Sequence, residues 1–230
     1  MSERLWCVVP AAGRGTRFGS ARPKQYAGIG GKPLLAWTLE RLLACDAIAG
    51  ILVVLAAGDA WWRSLALPPG KPVRTAIGGA ERSGSVLAGL RALPDEVRDG
   101  DFVLVHDAAR PCVEPDDIAR LVRLGIPAGG GLLAAPLRDT LKRTDGTDHA
   151  VATEPREARW RAFTPQLFRR GELVRALEQA GRDGVAVTDE AMAMERAGHA
   201  PLLVEGAETN LKVTTPADLA MAAFLLGVAP

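Results

Sequence analysis

Hydrophobic positions in this chain come in short unbroken runs. Residues 5–10, 51–55, 102–105 and 132–135 are apolar segments of strand length, the pattern of strands covered on both faces. Residues 73–77 and 201–204 read as further strands. Between these runs the apolar spacing lengthens to the helical period. Leu34, Leu35, Thr38, Leu39 and Leu42 mark a helix over 34–44, with Pro33 suited to its first position. Val86, Leu87 and Leu90 mark another over 82–93. A third, over 115–124, carries Asp116 and Asp117 in its first turn, where the helix dipole favours acids. Residues 60–65 form a short helix candidate in which Trp61 and Trp62 serve packing. Strands alternating with amphipathic helices predict an open, mostly parallel α/β sheet with helices on both faces. Ligands of such sheets bind beyond the carboxyl ends of the strands. The loops at Gly13, Gly78-Gly79, 107–110 and 136–140 all follow strands, so all four are expected on one rim.

The alternation breaks at 138–154, which is polar and holds Asp145-Gly146 between β-type stretches at 140–143 and 150–153. Asp-Gly in that setting predicts a hairpin. A lone hairpin buries little, so this one is expected to be an arm that embraces a second copy of the chain. Beyond it, 168–180 and 189–197 read as helices, the second capped by Thr188. Residues 210–213 read as a short strand and 216–226 as a closing helix capped by Thr215.

Composition narrows the class of protein. A 230-residue chain fits one large domain or at most two, and 48% hydrophobic with 24% charged residues is ordinary for a globular protein. A formal net charge of +1 gives no global attraction to nucleic acid or to an anionic membrane, so neither is expected as a partner. Any anion site must come from local clusters. Cys7, Cys45 and Cys112 are scattered and odd in number, which argues against a disulfide framework and for a reducing compartment. They also lack metal-ligand spacing, and Cys7 and Cys112 read as small buried apolar residues. No apolar stretch approaches the ~18 residues of a membrane span. Residues 1–4 lead straight into the first strand without room for a signal peptide, so a cytoplasmic protein is expected.

Candidate chemistry concentrates at the end of the first strand. There Ala11-Ala12-Gly13-Arg14-Gly15 is nearly bare of side chains, so backbone N–H groups can approach a ligand closely. Arg14, Arg17, Arg22 and Lys24 follow, and glycines beside cations at a strand end suit a phosphate chain. The string is not a P-loop, which needs Gly, four residues, then Gly-Lys-Ser/Thr. Gly13, Gly15 and Gly19 also miss the dinucleotide spacing by one residue.

The run Ala11 to Arg17 followed by Pro23-Lys24-Gln25-Tyr26 resembles the signature of nucleotidyltransferases that join sugar or alditol phosphates to nucleoside triphosphates. Further strings occur in order. They are Gly78–Leu90, His106-Asp107-Ala108-Ala109-Arg110-Pro111, Ala135–Lys142, Phe163-Thr164-Pro165-Gln166, Thr188-Asp189-Glu190-Ala191, and Val204-Glu205-Gly206 with Asn210–Thr214. Each alone is weak. The ordered set resembles the 2-C-methyl-D-erythritol 4-phosphate cytidylyltransferase family from the first strand to the last helix.

That resemblance implies a Rossmann-like nucleotidyltransferase fold, with one domain over 1–230 and a dimerisation arm at about 138–160. It implies a homodimer joined through the arm. It implies transfer of CMP from CTP to methylerythritol phosphate with release of pyrophosphate, in the non-mevalonate route to isoprenoids, and with Mg²⁺ or another divalent cation. Residue by residue, Arg17 and Lys24 match the family's transition-state-stabilising cations. Pro10, Ala11, Ala12, Gly13, Gly15, Lys24, Gly79, Arg82, Ser85, Asp107 and Ala108 match its nucleotide-binding surface. Asp107, Arg110, Thr140, Arg156 and Lys212 match its acceptor site, with Thr140 and Arg156 reaching it across the dimer. Asp107 is also its candidate carboxylate beside the metal, which is held mainly through CTP phosphates.

The chain departs from the pattern at Ala80, where some members carry an acid, and at Thr209, which is often aspartate. Thr209 is therefore not assigned to the metal. His106 is expected to pack or hydrogen-bond rather than catalyse, and His149 to be solvated in the arm. The runner-up activity is the sister cytidylyltransferase acting on ribitol 5-phosphate, which differs by one methyl and by hydroxyl placement. Another nucleotide-sugar transferase of the same fold, or a non-catalytic nucleotide-binding protein, are more distant readings. No fused cyclase is expected within this chain.

Overall fold

Seven strands build the central sheet of a computed structural model of the chain, which describes residues 5–13, 23–79 and 81–229. The amino-terminal half contains strands β1 (Leu5–Pro10), β2 (Gly28–Ile29), β3 (Lys32–Pro33), β4 (Ile48–Leu55), β5 (Val73–Ile77) and β6 (Phe102–Val105). Helices α1 (Leu34–Leu43), α2 (Arg82–Arg91) and α3 (Pro115–Gly125) alternate with them. There follow β7 (Gly131–Pro136), β8 (Leu141–Thr144), β9 (Ala150–Glu154), β10 (Trp160–Arg169), α4 (Arg170–Arg182), α5 (Glu190–Arg196), β11 (Leu202–Glu205) and α6 (Pro216–Leu225).

The sheet order is β11-β7-β10-β6-β1-β4-β5, and every pairing is parallel except the two made by β10. Successive residues of β1 feed opposite faces. Cys7 and Val9 pack with Leu35, Leu39 and Leu121 of α1 and α3, whereas Trp6 and Val8 pack with Val86, Leu90 and Leu173 of α2 and α4. Helices thus cover both faces, as the continuous apolar runs require. A smaller third cluster seats α6 through Ala222 and Ala223 against Ile29, Leu34 and Val213. On the second face, Gly89 lets α2 lie against the sheet. A Cβ there would stand 2.6 Å from Val8 and 2.7 Å from Val54.

Several elements differ from the sequence expectations. Strand β10 is not predicted by the sequence, because a proline normally demotes a central strand. Here the ladder to β7 breaks between Ala162 and Gln166, so Pro165 is asked for no ladder hydrogen bond. The helix expected from residue 168 starts at Arg170 instead. Residues 210–213 are not a strand: the Asn210 and Leu211 amides turn back locally to the Ala207 and Thr209 carbonyls, and Val213 N–H alone reaches a distant segment, the Ala109 carbonyl at 2.8 Å. Asp189, not Thr188, caps α5 by accepting from the Met192 amide at 2.9 Å. Pro33 precedes α1 as its N-cap rather than opening it, and it closes a miniature hairpin with β2 that the sequence does not signal. Only a single 3₁₀ turn, Trp62–Ser64, forms where a helix is expected over 60–65. The hairpin β8–β9 is present as an antiparallel pair apart from the main sheet.

Candidate active site

A cleft of about 290 Å³ opens at the carboxyl ends of β1, β5 and β6. It gathers ten of the eleven nucleotide-site candidates, namely Pro10, Ala11, Ala12, Gly13, Lys24, Gly79, Arg82, Ser85, Asp107 and Ala108, together with Lys212. Gly15 and Arg17 lie outside the described residues, as does Ala80. Of the four loops expected on the rim, those at Gly13, Gly79 and Asp107 line this cleft, and 136–140 does not.

The floor is held by its own backbone. Ala11 donates its amide to the Val54 carbonyl at 2.8 Å, which extends the β1–β4 ladder past the strand end. Its carbonyl accepts from Gln25 Nε2 at 2.6 Å. The Ala11 amide is therefore committed to the sheet. Gln25 is buried and belongs to the 3₁₀ turn Lys24–Tyr26. Its bond pins that turn to the strand end and brings Lys24 to the wall of the cleft. Tyr26 anchors the other side, donating to Asp59 Oδ2 at 2.9 Å. On the opposite wall, Ser85 Oγ reaches the carbonyls of Glu81 at 3.0 Å and Gly79 at 3.3 Å, which ties the start of α2 to the glycine loop. A Cβ on Gly78 would lie 2.7 Å from Ser85 Oγ and 2.8 Å from Ala12 Cβ, so this wall admits glycine alone without rearrangement.

Asp107, at the end of β6, is the electrostatic centre. Its Oδ1 accepts from Arg82 Nε at 3.0 Å, while Oδ2 takes Lys212 Nζ at 3.0 Å and Arg110 Nε at 3.3 Å. Burial would raise this carboxyl, but the Arg82, Lys212 and Arg110 charges outweigh it and hold it well below the usual carboxylate range. The three cations are not equivalent. Arg110 is buried and already committed, with Nη1 on the Asn210 carbonyl at 2.7 Å and its plane 5.3 Å from the Phe163 ring centre. Burial lowers its pKa against the pull of Asp107. The Lys212 side chain is 41% exposed, so it alone of the three can leave Asp107 at little packing cost.

Arg82 has a second partner that the sequence reading does not single out. Glu190 is fully buried and accepts from Arg82 Nη1 at 2.6 Å and Nη2 at 3.1 Å. Burial alone would lower the Arg82 pKa, but Glu190 and Asp107 hold the guanidinium above its ordinary value. Burial raises the Glu190 carboxyl, opposed by Arg82. A sequence signal exists, since Glu190 lies in the string Thr188–Ala191, but nothing local separates a buried acid from an N-terminal helical one.

His106 is buried and joins this frame by hydrogen bonds. The Arg110 carbonyl, 3.1 Å from Nε2, can only accept, so Nε2 carries the proton. Nδ1 then accepts from Thr164 Oγ1 at 3.0 Å, and Thr164 Oγ1 in turn accepts from the Asp107 amide at 3.0 Å. Burial pushes the His106 pKa down to about 4, so the ring is neutral at physiological pH. It orients the Asp107 loop, in keeping with the expected packing role.

Among the described residues no group of three or more His, Cys, Asp or Glu side chains converges to form a metal cage. Asp107 is an ionised carboxylate at the cleft with both oxygens shared among cations. A divalent ion could reach this carboxylate only where one of those cations, of which Lys212 is the most exposed, gives way. Thr140 and Arg156 lie away from both the cleft and the adjoining 230 Å³ space next to Asp107, Thr188 and Asp189. They sit at the arm, where Arg156 donates to the Arg138 carbonyl. His149, also in the arm, is exposed.

This sequence and fold have relatives. The family model "2-C-methyl-D-erythritol 4-phosphate cytidylyltransferase" matches residues 5–228. A protein of that name from Stenotrophomonas maltophilia (strain R551-3) is 59% identical over 227 residues, covering 98% of each chain. One from Xanthomonas axonopodis pv. citri (strain 306) is 58% identical over 227 residues, covering 98% of this chain and 85% of the other. The crystal structure of the Francisella tularensis protein of the same name superposes with a TM-score of 0.83 at 34% identity, over 97% of this chain and 100% of its own. That of the Thermus thermophilus protein gives 0.80 at 34% identity, over 98% and 100%.

Proposed function

Because the chain belongs to the 2-C-methyl-D-erythritol 4-phosphate cytidylyltransferase family, we propose a division of labour among its cleft residues for that reaction. The enzyme is a cytidylyltransferase of the isoprenoid pathway, taking CTP and methylerythritol phosphate to the CDP-alcohol and pyrophosphate. An oxygen of the acceptor phosphate attacks the CTP α-phosphorus in line, and the bond from that phosphorus to the β-phosphate bridging oxygen breaks. A phosphate monoester has its second pKa near ~6, so the attacking oxygen is already anionic and no general base is required. That need agrees with a site whose one histidine, His106, is buried, neutral and fully hydrogen-bonded.

What the reaction needs is compensation of charge gathering on the α-phosphate. Lys24, brought to the cleft wall by the Gln25 anchor, supplies one cation there. Arg17 is assigned the matching role by its place in the family motif. The Gly13 loop cradles the triphosphate, and the backbone around Gly79, Arg82 and Ser85 reads the small cytosine edge. A bound Mg²⁺ would neutralise phosphate charge, and Asp107 is the carboxylate that would help hold it once Lys212 moves to substrate. Asp107, Arg110 and Lys212 bound the acceptor pocket, with Lys212 exchanging Asp107 for a substrate phosphate. We assign the β8–β9 arm to a homodimer in which Thr140 and Arg156 complete the partner's acceptor pocket.

The observation that carries this reading is the clustering of Lys24, Arg82, Asp107 and Lys212 around one cleft at the strand ends. Pyrophosphate release from CTP and Mg²⁺ tests it, with methylerythritol phosphate and ribitol phosphate as parallel acceptors. Fast release with the first acceptor and little with the second is expected. Release with ribitol phosphate alone would transfer the acceptor assignment to that alditol.

A further inference from the structure

Glu190 is buried, charged and outside any role assigned above, yet it touches the site through one side chain. Its placement is over-determined. It opens α5, whose cap is Asp189. Gln166 of β10 clasps that helix start from both sides, donating Nε2 to Asp189 Oδ2 at 2.9 Å and accepting the Ala191 amide on Oε1 at 2.7 Å. The Glu190 carboxylate then meets both terminal nitrogens of Arg82 in a fork, at 2.6 and 3.1 Å. This turns the third donor of Arg82, Nε, onto Asp107 Oδ1 at 3.0 Å. With Oδ1 so occupied, Oδ2 is the oxygen left to Lys212 and Arg110.

We propose that Glu190 is a positioning residue which, through Arg82, sets the orientation of Asp107 and so tunes recognition of the phosphorylated acceptor. The inference rests on the reading of Asp107 as part of the acceptor pocket. Two physical reasons support it. An arginine with no second carboxylate would turn its own fork onto Asp107, taking both oxygens and displacing Lys212. Glu190 also balances charge. Arg82, Arg110 and Lys212 against Asp107 alone would leave two excess positive charges beside the triphosphate site, and Glu190 reduces the excess to one. The relay therefore separates a cation that shapes the pocket, Arg82, from one that can be handed to substrate, Lys212.

The test is a double-mutant cycle on the full-length enzyme with Glu190→Gln and Asp107→Asn. Both kcat/KM for methylerythritol phosphate and the CTP dissociation constant by calorimetry are measured. Glu190→Gln replaces one acceptor oxygen by an amide that cannot accept from Arg82. It is expected to lower acceptor kcat/KM by about 100-fold, the scale of an angstrom-sized misplacement. CTP affinity should stay within about threefold, which separates misorientation from general damage. In the double variant the loss should be no deeper than with Asp107→Asn alone, because both act through one contact. If Asp107→Asn is itself silent, the acceptor-pocket reading falls and the proposal with it. If Asp107→Asn is damaging and the two losses multiply, the proposal alone is overturned. Should Glu190→Gln not fold, Glu190→Asp keeps the buried charge but shortens its reach. It is expected to give an intermediate loss in acceptor kcat/KM, and wild-type values would overturn the relay.

Discussion

Two side chains of the cleft region, half-buried Lys24 and buried His106, serve opposite ends. Lys24 is brought to the cleft wall by a neighbour's hydrogen bond, and its expected contribution is to the transition state. Lys24→Ala should lower kcat by about 10²–10³-fold, as removal of one such donor does elsewhere. CTP affinity and folding should be nearly unchanged, as calorimetry and circular dichroism would record. Near wild-type turnover would refute the mechanism. His106 acts on stability instead. Its folded pKa, pushed down to about 4 by burial, lies below the unfolded value of about 6.5. The unfolded chain thus binds the extra proton between those values. Stability is full above about pH 6.5 and declines as pH falls toward about 4, by up to roughly 3 kcal/mol. Urea unfolding at pH 4.5 and 7 should show that slope in the wild type, and His106→Gln should flatten it. An unaltered slope in the variant would mean that other groups carry it.

At the scale of elements, the site depends on how closely α2 approaches the sheet. Gly89 sets that approach, since a methyl there would strike Val8 and Val54. Gly89→Ala should therefore destabilise the fold by about 1–3 kcal/mol through overpacking, although alanine is the better helix former. The same push acts on Ser85, which ties the start of α2 to the Gly79 wall, so CTP affinity should fall with stability. Denaturant midpoints and calorimetry on one sample check both, and a more stable variant would show that propensity wins over packing. Elements also mark where sequence reasoning stops. The apolar runs of β1, β4 and β6 and the capping box of α6 at Thr215 and Asp218 are local signals, and the structure contains each. Strand β10 and the coil at 210–213 escape a local reading because their state depends on a neighbour. β10 inserts antiparallel between β6 and β7, and residues 210–213 find no strand edge to join.

At the scale of the molecule, the arm is an obligation. Its two strands pair only with each other, and Val151 and Trp160 remain 49% and 39% exposed. An isolated two-stranded ribbon is marginal in water. Replacing residues 141–154 by a short Gly-Ser linker is expected to give a monomer by light scattering. It should also cut acceptor kcat/KM by at least about 100-fold while sparing CTP affinity, because Thr140 and Arg156 would lose their station. A dimer that survives the replacement would place the interface elsewhere. No helix among the described residues is long and apolar enough to cross a membrane.

What the chain's order of residues determined by itself was everything that a few neighbouring residues can encode. That includes the alternating strands and helices, the bare loop after β1 and the motif strings whose succession marks the family. What only the tertiary structure decided was the network around Asp107. Arg82, Lys212 and Glu190 converge there, and Arg82 and Glu190 lie 108 positions apart in the chain. Periodicity says which face of an element is apolar but not which other element it will meet. The meeting is set by sheet order, and an acid becomes a buried partner rather than a solvated charge only once the strands beneath it are in place.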